Sequence, residues 1–182
     1  KELKTRDLAE VADLLAQVES YQEQGYYVVG YVSYEAAPAF EEKLAVHKAP
    51  LLDEYLLYFT VHDRVETSPI PLIYDEVDLP SNWQEVTSAV DYEKAIAQIH
   101  HNLRQGDTYQ VNYTVQLKQD LSANPFAIYN RMVVEQEAGY NAYVEHDEMA
   151  VISMSPELFF EQNDRELTTR PMKGTTQRGM TD

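Results

Sequence analysis

Cysteine is absent from the 182 residues. Disulfides, thiolate metal sites and a cysteine nucleophile are thereby excluded within them, and the usage fits a reducing compartment. Positive charge is scarce: 14 Lys and Arg stand against 31 Asp and Glu, a formal net charge of −17. A surface that tracks phosphates needs clustered cations, and so does polybasic membrane attachment. Neither a nucleic-acid nor a membrane-surface role is expected. No run approaches about 18 apolar residues, the length that crosses a bilayer, and Lys1-Glu2-Leu3-Lys4 does not open a signal peptide. The expectation is a soluble, cytoplasmic protein. Glycine is sparse as well. The six glycines form no G-x-G-x-x-G, no P-loop and no G-x-S-x-G, so nucleotide-binding and α/β-hydrolase readings lose their anchors. The five histidines, His47, His62, His100, His101 and His146, show no H-E-x-x-H or comparable ligand spacing, so zinc is not expected.

What is present is a globular composition, 44% hydrophobic and 11% aromatic. Leu8, Val11, Leu14, Leu15, Val18 and Tyr21 recur at spacings of three and four, which predicts a helix over Thr5 to Gln24 closed by Gly25. Tyr27 to Tyr34 is dense in β-branched and aromatic residues and predicts a mostly buried strand, with a second over Glu54 to Val61. Residues 63–81 are loop-rich. Asp91 can cap a helix carrying Tyr92, Ile96, Ile99 and Leu103 and ending at Gly106. Tyr109 to Leu117 alternates like a strand. Asn124-Pro125 opens a further helix through about Glu137, with Gly139 as its stop. Asn141 to His146 and Met149 to Met154 predict a hairpin about His146-Asp147-Glu148, and Leu158 to Glu161 with Glu166 to Thr169 predict another. Helices set between antiparallel meanders indicate an α/β protein of the α+β type.

Unusual chemistry gathers at the C-terminal end. Thr169 to Gly179 places Lys173, Arg170 and Arg178 around Gly174 and the hydroxyls of Thr175 and Thr176, in a chain otherwise acidic. A Gly-containing turn can aim backbone N–H groups and a threonine hydroxyl at an anion, and guanidinium groups can hold a carboxylate bidentately. Such positive surroundings, with partial burial, lower a lysine's pKa toward the range where a neutral amine acts as nucleophile or base. The residues alone leave open an ordinary exposed basic turn. At Ser155-Pro156-Glu157, a strand-end turn directs a carboxylate that, once desolvated, would serve as general acid. An ordinary surface glutamate is the competing reading. Asn112-Tyr113-Thr114 matches a glycosylation sequon and, without a secretion signal, reads as a chance match.

Gly106-Asp107-Thr108-Tyr109-Gln110-Val111-Asn112, then Ser155-Pro156-Glu157, then Pro171-Met172-Lys173-Gly174-Thr175 with Arg178-Gly179, resemble the chorismate-utilising enzymes in order and spacing. Tyr31-Val32-Ser33-Tyr34-Glu35-Ala36-Ala37-Pro38 resembles the N-terminal part of component I of the aminodeoxychorismate (para-aminobenzoate) synthases among them. The resemblance implies a layered sandwich of mixed, largely antiparallel sheet with helices, divided into an N-terminal region (1–86) and the first part of a chorismate-binding domain (87–182).

It also implies roles for individual residues. Isochorismate and salicylate synthases have a lysine where Gln110 stands, and that lysine activates water for attack at ring carbon C2. A neutral amide cannot take that proton, so Gln110 speaks against water as nucleophile. Anthranilate synthases have a small residue at the place of Lys173, whereas aminodeoxychorismate synthases have lysine. The implied activity is amination of chorismate at C4 for para-aminobenzoate and folate biosynthesis. Lys173 forms a covalent adduct at C2, Glu157 protonates the departing hydroxyl, and Gly174, Thr175 and Gln110 contact the substrate. Met172 replaces the family's more usual isoleucine, a conservative packing change. Ammonia is expected from a glutamine amidotransferase subunit. Magnesium is expected as cofactor, held by glutamates that in relatives lie downstream of the Lys173 motif, so the 182 residues would span about the first half of such a synthase and be incomplete for catalysis. The alternatives are anthranilate synthase component I and, from another class, a non-catalytic acidic binding or assembly module.

Overall fold

The computed structural model describes residues 1–46, 54–70, 77, 79–147, 149–172 and 174. The chain divides into two compact units, Lys1–Pro71 and Leu72–Asp182.

In the first unit, strands β1 (Glu2–Thr5), β2 (Tyr27–Val32) and β3 (Leu57–His62) form an antiparallel sheet in the order β1-β3-β2. Helix α1 (Val11–Glu23) packs on one face of it. The predicted apolar stripe is the one buried: Val18 joins Leu3 and Val61 with Leu14, Tyr21, Val28 and Phe59 around them, and Val11 joins Ala36 and Leu57. The helix begins six residues later than the pattern suggested. Thr5 instead pairs with Leu57 in β1, and a polar corner follows it. The Thr5 hydroxyl accepts from the Asp7 N–H (2.9 Å) and donates to Glu10 Oε2 (2.5 Å), while Asp7 Oδ1 accepts from the Ala9 N–H (2.9 Å). Side chains that satisfy local backbone donors compete with helix in this way.

Strand β2 lies at the sheet edge and is not mostly buried as expected. Val28 enters the core, whereas Tyr27 and Val29 are exposed, because successive strand residues face opposite sides and α1 covers one of them. On the other side Tyr58 is buried and stacks on Tyr31 and Tyr55, with ring centroids 6.1 and 5.9 Å apart. The Arg6 guanidinium lies 3.9 Å over the Tyr55 ring. Burial, then the charge of Glu54, raises the Tyr31 hydroxyl pKa above its ordinary value. Gly30 sits opposite Phe59 and leaves no space for a side chain.

The second unit holds helices α2 (Ala89–Gln105) and α3 (Pro125–Gln136) with three two-stranded antiparallel ladders: β4 (Gln84–Glu85) with β5 (Leu117–Lys118), β6 (Tyr140–His146) with β7 (Met149–Ser155), and β8 (Leu158–Asn163) with β9 (Glu166–Arg170). Helix α2 starts at Ala89, two residues before Asp91. Ser88 is its cap, its hydroxyl accepting the Asp91 N–H at 3.1 Å and donating to Asp91 Oδ2 at 2.7 Å, so Asp91 lies in the first turn and orients the capping hydroxyl in place of capping. Gly106, at φ 81°, ends the helix as expected. Within α2 none of the residues is buried. The predicted strand over Tyr109 to Leu117 forms a ladder only at Leu117–Lys118. Its alternation is real, but among the described residues no strand pairs with 109–116; the Val86 N–H reaches the Gln116 carbonyl at 2.9 Å, and the ladder goes no further back along the segment.

Both predicted hairpins are present, with Asp147 (φ 47°) and Asp164 (φ 51°) in the left-handed region that aspartate tolerates in turns. Helix α3 packs on the β6–β7 hairpin, where Tyr143 meets the Phe126 ring edge to face at 5.2 Å and Tyr129 at 5.5 Å. The predicted Asn124-Pro125 start holds: Asn124 Oδ1 accepts from the N–H groups of Phe126 (2.9 Å) and Ala127 (3.2 Å). Asn124→Ala is expected to cost about 1 kcal/mol in denaturant unfolding while Asn124→Ser retains most of the stability. Equal midpoints for the alanine variant and the unaltered chain would remove this cap from the account.

The α+β expectation thus agrees with a mixed α/β chain carrying small antiparallel sheets. Among the described residues no helix is long and apolar enough to cross a membrane.

Candidate functional site

The junction between the two hairpins of the second unit carries one of the motifs. Strand β7 ends at Ser155 and β8 begins at Leu158, so Pro156 and Glu157 form the whole connection. The Ser155 hydroxyl accepts the Glu157 N–H at 3.2 Å and donates to the Glu157 carbonyl at 3.0 Å. Glu157 is therefore at the strand-end turn expected for it. Its residue is exposed, so the desolvation that the general-acid reading asks for is not supplied by the described residues.

The β8–β9 register then ties this junction to the next motif. Leu158, directly after Glu157, pairs with Arg170, and Arg170 is followed in sequence by Pro171-Met172-Lys173. Ser155-Pro156-Glu157 and the approach to Lys173 consequently share one end of the hairpin. Lys173 and Thr175 themselves lie outside the described residues, as do 176–182. Gly174 is exposed, and among the described residues nothing lies within 4 Å of the position a Cβ would take there. Gln110, in the segment after α2, is also exposed; its Nε2 donates to Asn112 Oδ1 at 3.4 Å and its carbonyl accepts from the Thr108 hydroxyl at 3.0 Å. Among the described residues no hydrogen bond or ion pair joins Gln110 to Glu157.

The brace that Ser155 supplies to Glu157 is the feature that reading the motif as a string misses. Its signal is a serine two residues before the acid, since short hydroxyl side chains bond backbone groups two positions on. Nearby in β6, burial first and then the hydrogen bond that Tyr143 donates to Glu145 (2.9 Å) push the Tyr143 hydroxyl up to about 12. A cavity of about 240 Å³ is lined by Glu85, Thr87, Ala89, Tyr92 and Val115 and contains none of the motif residues. Among the described residues no group of three or more His, Asp or Glu could hold a metal ion. The described residues do not by themselves supply a magnesium site.

A family model described as chorismate binding enzyme matches residues 1–182. The chain is 34% identical over 91 residues to aminodeoxychorismate synthase component 1 of Bacillus subtilis, covering 50% of this chain and 19% of that protein. It is 33% identical over 91 residues to anthranilate synthase component 1 of Lactococcus lactis, covering 50% and 20%. With aminodeoxychorismate synthase component 1 of Klebsiella aerogenes the identity is 30% over 115 residues, 63% of this chain and 25% of that protein. The aligned stretch thus spans about a fifth to a quarter of each relative's length. No solved structure matches significantly. With the ordered motifs, the mixed α/β fold and a family match over its full length, the chain belongs to the chorismate binding enzyme family.

Proposed function

We propose that the protein aminates chorismate at C4, giving 4-amino-4-deoxychorismate, as component I of an aminodeoxychorismate synthase. The observation that supports this most is the register of β8 on β9, which sets Glu157 beside the run into Lys173 through the Leu158–Arg170 pair. An acid beside the chain that leads into an amine-bearing motif suits a substitution in which one carbon gains nitrogen while another loses hydroxide. In the first half of the reaction the Lys173 amine forms a bond to C2 as the ring double bonds shift. The C4–O bond breaks, and the Glu157 proton goes to the departing hydroxide to make water. In the second half ammonia bonds to C4, the double bonds return, and the C2–N bond breaks to release the lysine. The proton that ammonia gives up restores the Glu157 carboxyl. The sum is chorismate plus ammonia giving aminodeoxychorismate plus water.

Gln110 is the neutral group that leaves water unactivated at C2, and Gly174 and Thr175 contact the substrate. The reading carries with it a layered sandwich divided at 86/87, a cytoplasmic location, magnesium as cofactor and a glutamine amidotransferase subunit as the source of ammonia. Relatives of both kinds keep anthranilate synthase as the second reading. Incubating the full-length protein with chorismate, ammonium and magnesium decides between them. Release of 4-amino-4-deoxychorismate is expected; anthranilate would transfer the protein to the second reading. Neither product, together with no heat on titration with chorismate, would place it among assembly modules.

A further inference from the structure

The connection between β7 and β8 has two residues in which to turn from one hairpin into the next, and both of its flanks are fixed. Ser155 is paired with Tyr140, and Leu158 with Arg170. Pro156 has no N–H with which to tie the turn. The Ser155 hydroxyl does it instead, engaging both backbone polar groups of Glu157, the N–H at 3.2 Å and the carbonyl at 3.0 Å. Thr108 makes only half of this arrangement at Gln110, donating to its carbonyl at 3.0 Å. The Glu157 carboxylate has no hydrogen-bond partner of its own among the described residues, so what the structure holds of this residue is its backbone.

We infer that Ser155 is a positioning residue for Glu157: by clamping the N–H and carbonyl of the acid, its hydroxyl aims the carboxyl toward the leaving oxygen of the substrate. This rests on the reading of Glu157 as the acid in C4 amination. A misaimed acid slows proton transfer without changing how the substrate is held, so the loss falls on kcat and not on KM.

The test is a double-mutant cycle in the full-length protein, assayed with chorismate and ammonium. Ser155→Ala is expected to lower kcat by about ten- to a hundredfold, the cost of a small misplacement of a reacting group, with KM within about twofold. Ser155→Thr, which keeps the hydroxyl, is expected to restore kcat to within about threefold of the unaltered protein. In a Glu157→Gln background, Ser155→Ala is expected to change kcat by no more than about twofold, because a clamp has nothing left to aim. If Ser155→Ala lowers kcat equally in both backgrounds, or leaves it unchanged in the first, the positioning role is overturned and a structural strand end remains. Should the alanine variant not fold, Ser155→Cys, with its weaker donor, carries the same cycle. Failure of the underlying reading is separately visible: Glu157→Gln would then aminate chorismate at the unaltered rate, whatever Ser155 does.

Discussion

With Lys173 in the proposed role of covalent nucleophile, Lys173→Ala is expected to lower amination at C4 at least about a thousandfold, since the substitution removes the route through the adduct and not merely a contact. The consequence follows from the two-step exchange: with no amine to occupy C2, there is no leaving group for ammonia to expel on entering at C4. A small side chain at this position is expected to admit ammonia to C2, so residual amination is expected there. Product analysis by mass spectrometry and chromatography, run beside Lys173→Arg, separates the effects. Arginine keeps the positive charge but, with a guanidinium that stays protonated, cannot attack carbon. It should be as inactive as alanine if the amine is the nucleophile. Near-normal C4 amination by either variant would end the assignment of Lys173.

The largest stability effect is expected at Gly30→Ala. A Cβ built there would lie 1.9 Å from the Tyr58 carbonyl oxygen, 2.6 Å from the Phe59 Cα and 2.7 Å from the Phe59 ring. Two of these three neighbours are backbone atoms of β3, held by ladders on both sides, and cannot turn away as a side-chain tip can. Separating β2 from β3 is the alternative, and it opens the core that Val28, Phe59 and Val61 share. The expected loss is about 3 kcal/mol or more, at the upper end for overpacking, seen as a melting midpoint lower by about 10 °C or more. Gly139→Ala is the control. Among the described residues nothing lies within 4 Å of its Cβ position, and its effect is expected within about 0.5 kcal/mol. Equal effects at the two glycines would contradict the close approach of β2 to β3.

Local signals in the sequence were sufficient where the structure they specify is itself local. Asn124-Pro125 carries both a cap and a preset first turn, and α3 begins there. The β6–β7 and β8–β9 hairpins follow from alternation about short turns. The α1 stripe was legible, but not its start, because the chain up to Thr5 is claimed by pairing with β3 far along the sequence. The two-residue β4–β5 ladder leaves no pattern to read, and the alternation of Tyr109 to Val115 is equally compatible with a strand and with an exposed segment. At Ser88 and Asp91 two cap-forming residues stand three apart, and the first takes the role while the second, in the first turn, bonds its hydroxyl. Of the candidate site, residue identities came from the resemblance. The placing of Glu157 beside the run into Lys173 comes from a hairpin that the sequence foretold. Exposure of Gln110 and Glu157 could not be read from composition, since it depends on what packs over them.

The ladders differ in how far apart along the chain their partners lie. In the first unit β1 must meet β3 across α1 and β2, whereas β8 and β9 are joined by a two-residue turn, Asp164-Arg165. Closing a long loop costs more entropy and slows the search for native contacts. The hairpin that pairs Leu158, next to Glu157, with Arg170 is therefore among the least expensive elements to close during folding, and it can set that pairing before the sheet of the first unit has assembled.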